Sequence, residues 1–180
     1  MVDVNAIEHY TAEDYRRWQG DWELIQGTPC AMAPSPTATH QFACAAIFRA
    51  LDDALGDCPQ YHVLFEIDVE FSADTVVRPD LIVICHEPEG DWVTRAPEMI
   101  VEVVSTNSAR RDESVKFDLY EAEGVTYYML VYPDAKKVKA YRLVDGSYRK
   151  LGDYSDERPA FELSQCRIGL DVAGFWRRKG

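Results

Sequence analysis

Residues 62–85 carry the pattern that most restricts how this chain can fold. From His62 to Phe71 the side chains follow a period of two, with Val63, Phe65, Ile67, Val69 and Phe71 on one side and His62, Glu66, Asp68 and Glu70 on the other. Such alternation describes a half-buried β-strand with an antiparallel neighbour. Ser72–Thr75 supplies a turn, and the neighbour is Val76–Cys85. The second half of that neighbour, LIVIC, is continuously apolar, which places it at the centre of a sheet rather than at an edge.

The remaining segments surround this hairpin with alternating helices and strands. Thr11–Asp14 has the capping-box pattern and starts a short helix through about Gln19. WELIQG, Trp22–Gly27, reads as a strand ending in a turn, and Ala33–Pro36 breaks regular structure. From Thr39 to about Leu55 the spacing is helical, with Cys44, Ile47, Phe48, Leu51 and Leu55 on one face and His40 one turn earlier on the same stripe. Met99–Val104 is a second apolar strand. Ser105–Ser108 starts a helix that runs to about Glu123 and stops at Gly124, a residue suited to a left-handed C-terminal cap. Thr126–Tyr132 and Lys137–Val144 are strands, Asp145-Gly146 turns the chain into a hairpin, and Ile168–Val172 adds a last short strand. With no repeat and no linker, residues 1–180 read as one domain of α/β or α+β class around a mixed sheet.

Charge and cysteine usage narrow the function. The chain carries 31 acidic and 19 basic residues, a net −12, so it cannot bind polyanions over its whole surface. Contact with nucleic acid must run through a metal ion or through local basic patches: Arg110-Arg111, Lys136-Lys137-Lys139 or Arg177–Lys179. The five cysteines, Cys30, Cys44, Cys58, Cys85 and Cys166, are odd in number and scattered, which argues for small core residues and against a disulfide framework or a zinc site. The polar, acidic N-terminus is unlike a secretory signal, and no apolar run nears the roughly 20 residues of a membrane span. A reduced, cytoplasmic location is expected.

Two acids stand where apolar strands do not favour them. Asp80 follows Pro79 and opens LIVIC, and Glu102 is embedded in MIVEVV. A buried carboxylate is costly unless it is paired or holds a cation. Two carboxylates on adjacent strands suit Mg²⁺ or Mn²⁺, hard cations that prefer oxygen and activate phosphodiesters and water. On the helix after Glu102, Asp112 and Lys116 are four residues apart and share a face. Arg110 and Arg111 fall in its first turn, where the helix dipole disfavours cations but a phosphate would be welcome. Nucleophile elbow, phosphate-cradling glycine loop, HExxH and dinucleotide signatures are all missing, which leaves a paired-carboxylate glycosidase with little support.

On TAEDYRRW, WELIQG, PTATH, VVRPDLIVI, the long block from APEMIVEVV to KAYRL, and the closing FW, the chain resembles the Uma-type restriction endonucleases of the PD-(D/E)XK nuclease superfamily. The resemblance implies a restriction-endonuclease-like core, a mixed β-sheet flanked by helices, here with an N-terminal strand and helix extension and an extra β-hairpin. It implies a Mg²⁺- or Mn²⁺-dependent endonuclease acting on DNA, with Asp80 and Glu102 as metal ligands. Two residues after Glu102 stands Val104 instead of the superfamily lysine, so the lysine role passes to Lys116 on the following helix, oriented by Asp112. Glu23 and His40 match family positions as further ligand or phosphate contacts, and Arg110 and Arg111 are the phosphate-binding candidates. A homodimer is implied by analogy, since a double-strand cut calls for two sites. The alternative is a catalytically silent binding or regulatory module on the same fold, meeting partners through sheet edges or the aromatics Tyr127, Tyr128 and Tyr132.

Overall fold

A computed structural model describes residues 8–32, 35–88, 90–105 and 108–177. Ala33 and Pro34 of the expected break, Thr106 and Asn107 of the helix-start cluster, and Arg178 and Lys179 of the C-terminal basic patch lie outside the described residues. In chain order the elements are α1 (Ala12–Tyr15), β1 (Trp22–Ile25), β2 (Thr28–Ala31), α2 (Ala38–Ala54), β3 (His62–Phe65), β4 (Val69–Ser72), β5 (Thr75–Val77), β6 (Leu81–Ile84) and β7 (Met99–Val103). A π-helical turn (Arg111–Val115) then leads into α3 (Lys116–Ala122), followed by β8 (Tyr127–Tyr132), β9 (Lys137–Val144), β10 (Ser147–Tyr154), β11 (Ala160–Glu162), β12 (Arg167–Gly169) and a 3₁₀ turn (Val172–Trp176). The class is mixed α+β.

A six-stranded sheet in the order β10-β9-β8-β7-β6-β3 forms the centre, and a four-stranded sheet β2-β1-β5-β4 stands beside it. β7 and β8 are parallel, joined by the crossover through α3, while β6 and β9 flank them antiparallel. Because side chains alternate along a strand, the two faces of the large sheet build separate cores. Met99, Val101 and Val103 join Tyr127, Met129 and Val131 against Ile47 and Leu51 of α2 and the C-terminal residues Phe161, Ile168 and Phe175. Ile82, Ile84, Ile100, Tyr128 and Leu130 join Leu119 and Tyr120 of α3 on the other face, where Val69 and Val77 of the small sheet also pack. Tyr127 and Tyr128 are therefore buried on opposite faces, and the aromatic run is core rather than a partner surface.

The hairpin of residues 62–85 departs from expectation in one instructive way. Its pairing is as the alternation demands: His62 opposes Ile84, Phe65 opposes Leu81, and the same register continues through Val69–Val77 and Glu70–Val76. Yet neither arm is a single strand. The ladder breaks at residues 66–68 and 78–80, so that β3 and β6 belong to the large sheet while β4 and β5 belong to the small one. Pro79 has no N–H to donate opposite Ile67, and Glu66 turns through a left-handed φ of 40°. Asp68 is not on a solvated face: the Arg78 guanidinium donates to it at 2.8 Å and the Tyr15 hydroxyl at 3.0 Å, which pins the bend.

Other departures are local. Thr11 and Asp14 form the expected capping box, but α1 ends at Tyr15, well before Gln19. β2 and β11 were not foreseen; β2 returns from WELI through a Gln26-Gly27 turn with φ of 48° and 74°. Against the expectation of free thiols, Cys58 and Cys166 form a disulfide, their Cα atoms 6.2 Å apart across 108 residues of sequence. The β11–β12 hairpin brings Cys166 to the end of the α2 region, a closeness that linear spacing does not reveal. Among the described residues no helix is long and apolar enough to cross a membrane.

The bend makes a testable distinction. Glu66→Val is expected to be about 1 kcal/mol or more less stable in urea unfolding than Glu66→Gly, because a β-branched residue resists positive φ by roughly 1–2 kcal/mol. Both variants lose the same charge, so that contribution cancels, and an unbroken strand would reverse the order.

Candidate active site

Asp80 sits at the break of the hairpin, and Glu102 lies near the end of β7. The register of β6 on β7, with Leu81 opposite Val101 and Ile82 opposite Ile100, places Asp80 opposite Glu102 when continued by one residue. The Asp80 carboxylate is fixed from two sides. Its Oδ2 accepts the Val103 N–H at 2.6 Å, and its Oδ1 lies 3.2 Å from His40 Nε2. His40 is held in the first turn of α2, where the Thr37 hydroxyl caps its N–H at 3.2 Å. On the far edge of the ring, His40 Nδ1 meets the Cys44 thiol one helical turn later at 3.5 Å.

Glu102 is buried, and so is Lys116. The Lys116 ammonium lies 2.9 Å from Glu102 Oε1 and 2.9 Å from Glu23 Oε1. The Tyr120 hydroxyl donates to the same Glu102 oxygen at 2.8 Å. Glu23, from β1 of the small sheet, also accepts the Arg78 backbone N–H at 3.0 Å and lies 3.6 Å from Arg111. The four-carbon stem of Lys116 thus carries its charge from the helix to the strand glutamate, where Val104 cannot. Its ion pairs are with Glu23 and Glu102 and not with Asp112, four residues earlier. The π-helical turn between the two widens the backbone spiral and upsets the usual i, i+4 alignment. Asp112 is nonetheless buried in the same region, its own carbonyl accepting the Tyr128 hydroxyl at 3.0 Å.

A cleft of about 330 Å³ opens onto Glu23, His40, Asp80, Glu102, Arg111, Asp112 and Lys116. Arg110 is exposed and does not line it. The lining also includes Glu66, Arg78, Ser105 and Ser108, none of which sequence reasoning singled out for the site. Tyr120 and Cys44 were missed as well, although each stands four residues after a candidate on the same helix, Lys116 and His40 respectively. That spacing was the available signal.

Burial and charge set the protonation tendencies. Loss of solvent pushes the Glu102 carboxyl well above its ordinary range, opposed by Lys116 and reinforced by Asp80, Asp112 and Glu23. Burial likewise raises Asp112, again opposed by Lys116. For Lys116 burial works against the charge, but Glu102, Glu23 and Asp112 together outweigh it and hold the ammonium protonated. The hydrogen bond to Asp80 raises His40, with burial opposing. With every lining acid ionised and His40 neutral, five carboxylates against three cations leave two negative charges. One divalent cation would balance them, and the oxygen-rich donor set fits a hard ion. His40, Cys44 and Asp80 also offer donor atoms within 4.8 Å of one another, a group that could hold a metal ion.

Two stability measurements probe this arrangement without metal. Lys116→Met should cost about 3–5 kcal/mol in urea unfolding, since it strands two buried carboxylates; much of that loss should be recovered when Glu23→Gln and Glu102→Gln are added. His40 is raised above its ordinary value near 6.5, so the stabilisation from its pair with Asp80 is full below that value and lost as pH climbs through the folded one. The Tm gap between wild type and His40→Gln should therefore be widest below His40's ordinary value and should narrow as pH rises above it.

A chain from Anabaena variabilis, described as a putative nuclease belonging to DUF820, superposes with a TM-score of 0.71 at 15% identity, covering 92% of this chain and 97% of that one. The uncharacterized protein sll1609 of Synechocystis sp. is 26% identical over 180 residues, 93% of this chain and 100% of that protein. Residues 12–170 match Uma2, a family described as "Putative restriction endonuclease". With the match spanning most of the chain, including every residue of the cleft, the protein belongs to the Uma2 family.

Proposed function

We propose that the protein is a metal-dependent endonuclease that hydrolyses DNA phosphodiesters in the cleft around Asp80 and Glu102. The observation that carries this reading is the pair of neighbouring carboxylates: Asp80, just before β6, accepts the N–H of Val103, the residue after Glu102 on β7, and the Lys116 ammonium lies 2.9 Å from Glu102. Asp80 and Glu102 would hold Mg²⁺ or Mn²⁺, and the bound ion would polarise the scissile phosphate and lower the pKa of the attacking water. Both hydrogen bonds to Glu102 fall on Oε1, which leaves Oε2 for a cation.

The chain's own groups have separate tasks. Lys116, kept protonated by its acidic neighbours, stabilises the negative charge that grows on the phosphoryl oxygens as water adds and the ester oxygen departs. Glu23 and Tyr120 position that ammonium and Glu102 relative to each other. His40 fixes the carboxylate of Asp80 from the helix side. Arg111, at the cleft lining, would meet a phosphate, whereas Arg110, exposed outside the lining, adds only to the surface charge. The acidic surface means that duplex binding is electrostatically weak and that few phosphates are contacted at once.

Incubation of supercoiled plasmid with Mg²⁺ or Mn²⁺ at low salt should give nicked circles with wild type and none with Asp80→Ala. Nicking should fall several-fold as salt rises to physiological strength. A linear product would show two copies acting together. Equal nicking by wild type and Asp80→Ala would remove the site from this cleft, and no nicking of any nucleic acid offered would favour the silent binding module.

A further inference from the structure

A second concave surface lies on the outer side of α2, a groove of about 480 Å³. Its walls carry Phe42 and Arg49 from the helix, Lys136 from the turn after β8, and Phe175, Trp176 and Arg177 from the C-terminal segment. The groove and the cleft are neighbours. Thr39 lines the groove, while Thr37 and His40 on either side of it line the cleft. The parallel strands β7 and β8 leave the sheet at the same end, stitched by the Val104 N–H to the Val131 carbonyl at 2.8 Å. Val103 and Ser105 from the first exit face the cleft, and Pro133 and Lys136 from the second face the groove.

We propose that this groove binds a single-stranded stretch of nucleic acid that leads into the cleft, an inference that rests on the nuclease reading. Charge supports the choice of occupant. In a chain of net −12, most cations of the large sheet's open edge are paired with acids, Lys137 and Lys150 with Asp153 and Lys139 with Glu113. Among the described residues, Arg49 and Lys136 have no carboxylate within ion-pair distance, and Arg177 has only a 3.4 Å contact with Asp171. The groove lining thus carries three cations, Arg49, Lys136 and Arg177, and no carboxylate.

The aromatic lining selects the form of the strand. Phe42 is 61% exposed, a large apolar side chain turned outward from a helix whose opposite face supplies the core. Trp176 is anchored, its indole N–H donating to the Ser155 carbonyl at 2.6 Å and its ring set edge-on to Phe175 at 5.7 Å. Rigid rings beside cations are a stacking platform for bases with a path for the backbone. A paired duplex keeps its base faces inside and offers such rings nothing, so unpaired bases are the fitting occupant.

The test is fluorescence anisotropy of a labelled oligothymidylate of about a dozen nucleotides with the full chain, at low salt in chelator, so that binding is read without cleavage. Wild type should bind and should prefer the single strand to a duplex of the same length. Phe42→Ala and Lys136→Glu, both at exposed positions, should each weaken binding by about tenfold, and Lys136→Glu should also flatten the salt dependence. Unchanged binding in both variants, failure of wild type to bind, or equal affinity for duplex overturns the proposal. A change in sedimentation with no change in oligonucleotide binding overturns it too, by giving the groove to a second copy. Plasmid nicking that depends on Asp80 alongside groove-independent binding sinks the groove and spares the nuclease. Groove-dependent binding without any nicking does the opposite.

Discussion

The buried ammonium of Lys116 is the point on which the architecture converges. It joins a strand of the small sheet through Glu23, a central strand of the large sheet through Glu102, and the helix that connects two parallel strands. A lysine with a lone buried partner would be a poor investment, because desolvation of both ions rivals their attraction. Two carboxylates and a tyrosine hydroxyl change that balance by satisfying the donors and acceptors together. The sheets are consequently fixed to each other by polar contacts at the very place where chemistry is expected, while apolar packing holds the rest.

On the proposed nuclease reading, that arrangement lets Lys116 serve Glu102 where Val104 cannot. A side chain at that place would rise from the strand itself, whereas Lys116 descends on Glu102 from the helix that packs over it. The ammonium reaches the same carboxylate by another route. The cost is a distorted helix start, since the turn at Arg111–Val115 is wider than an α-helix and interrupts the pairing of Asp112 with Lys116 that sequence spacing implies. Wide turns of this kind often mark functional stretches of a helix.

Much of this could be read from the residues, and what could not has physical reasons. Strands β7, β8 and β9 and helix α2 lie within a residue or two of their expected bounds, because long apolar runs and clear caps leave little choice. The acids embedded in apolar surroundings, Asp80 and Glu102, stood out for the same reason, as did the resemblance that drew in Glu23, His40 and Lys116; the cleft gathers all five. The break in the 62–85 hairpin was hidden because the period of two runs through the bend unbroken, although Val63 packs into one core and Val69 and Phe71 into the other. Pro79 was the clue, valued for its place before Asp80 and overlooked as a residue with no N–H. The Cys58–Cys166 pair and the partnership of Glu23 with Lys116 are products of distant segments meeting, and no local pattern encodes them.

The bent hairpin has a consequence for how chains of this shape can change length. Its two arms keep one register from His62–Ile84 to Glu70–Val76 and shift only at the bulge before the tip, so the bend at 66–68 and the bend at 78–80 are opposed partners. Loss of a single residue from one bend alone would turn over every side chain on that arm from there to the turn, sending Val69 outward and Glu70 into the core. Length can therefore vary freely at the Ala73-Asp74 tip or in the loop after β6, but at the bends only in matched steps. Asp80 inherits that rigidity: the carboxylate at the centre of the cleft sits where the chain has the least freedom to drift.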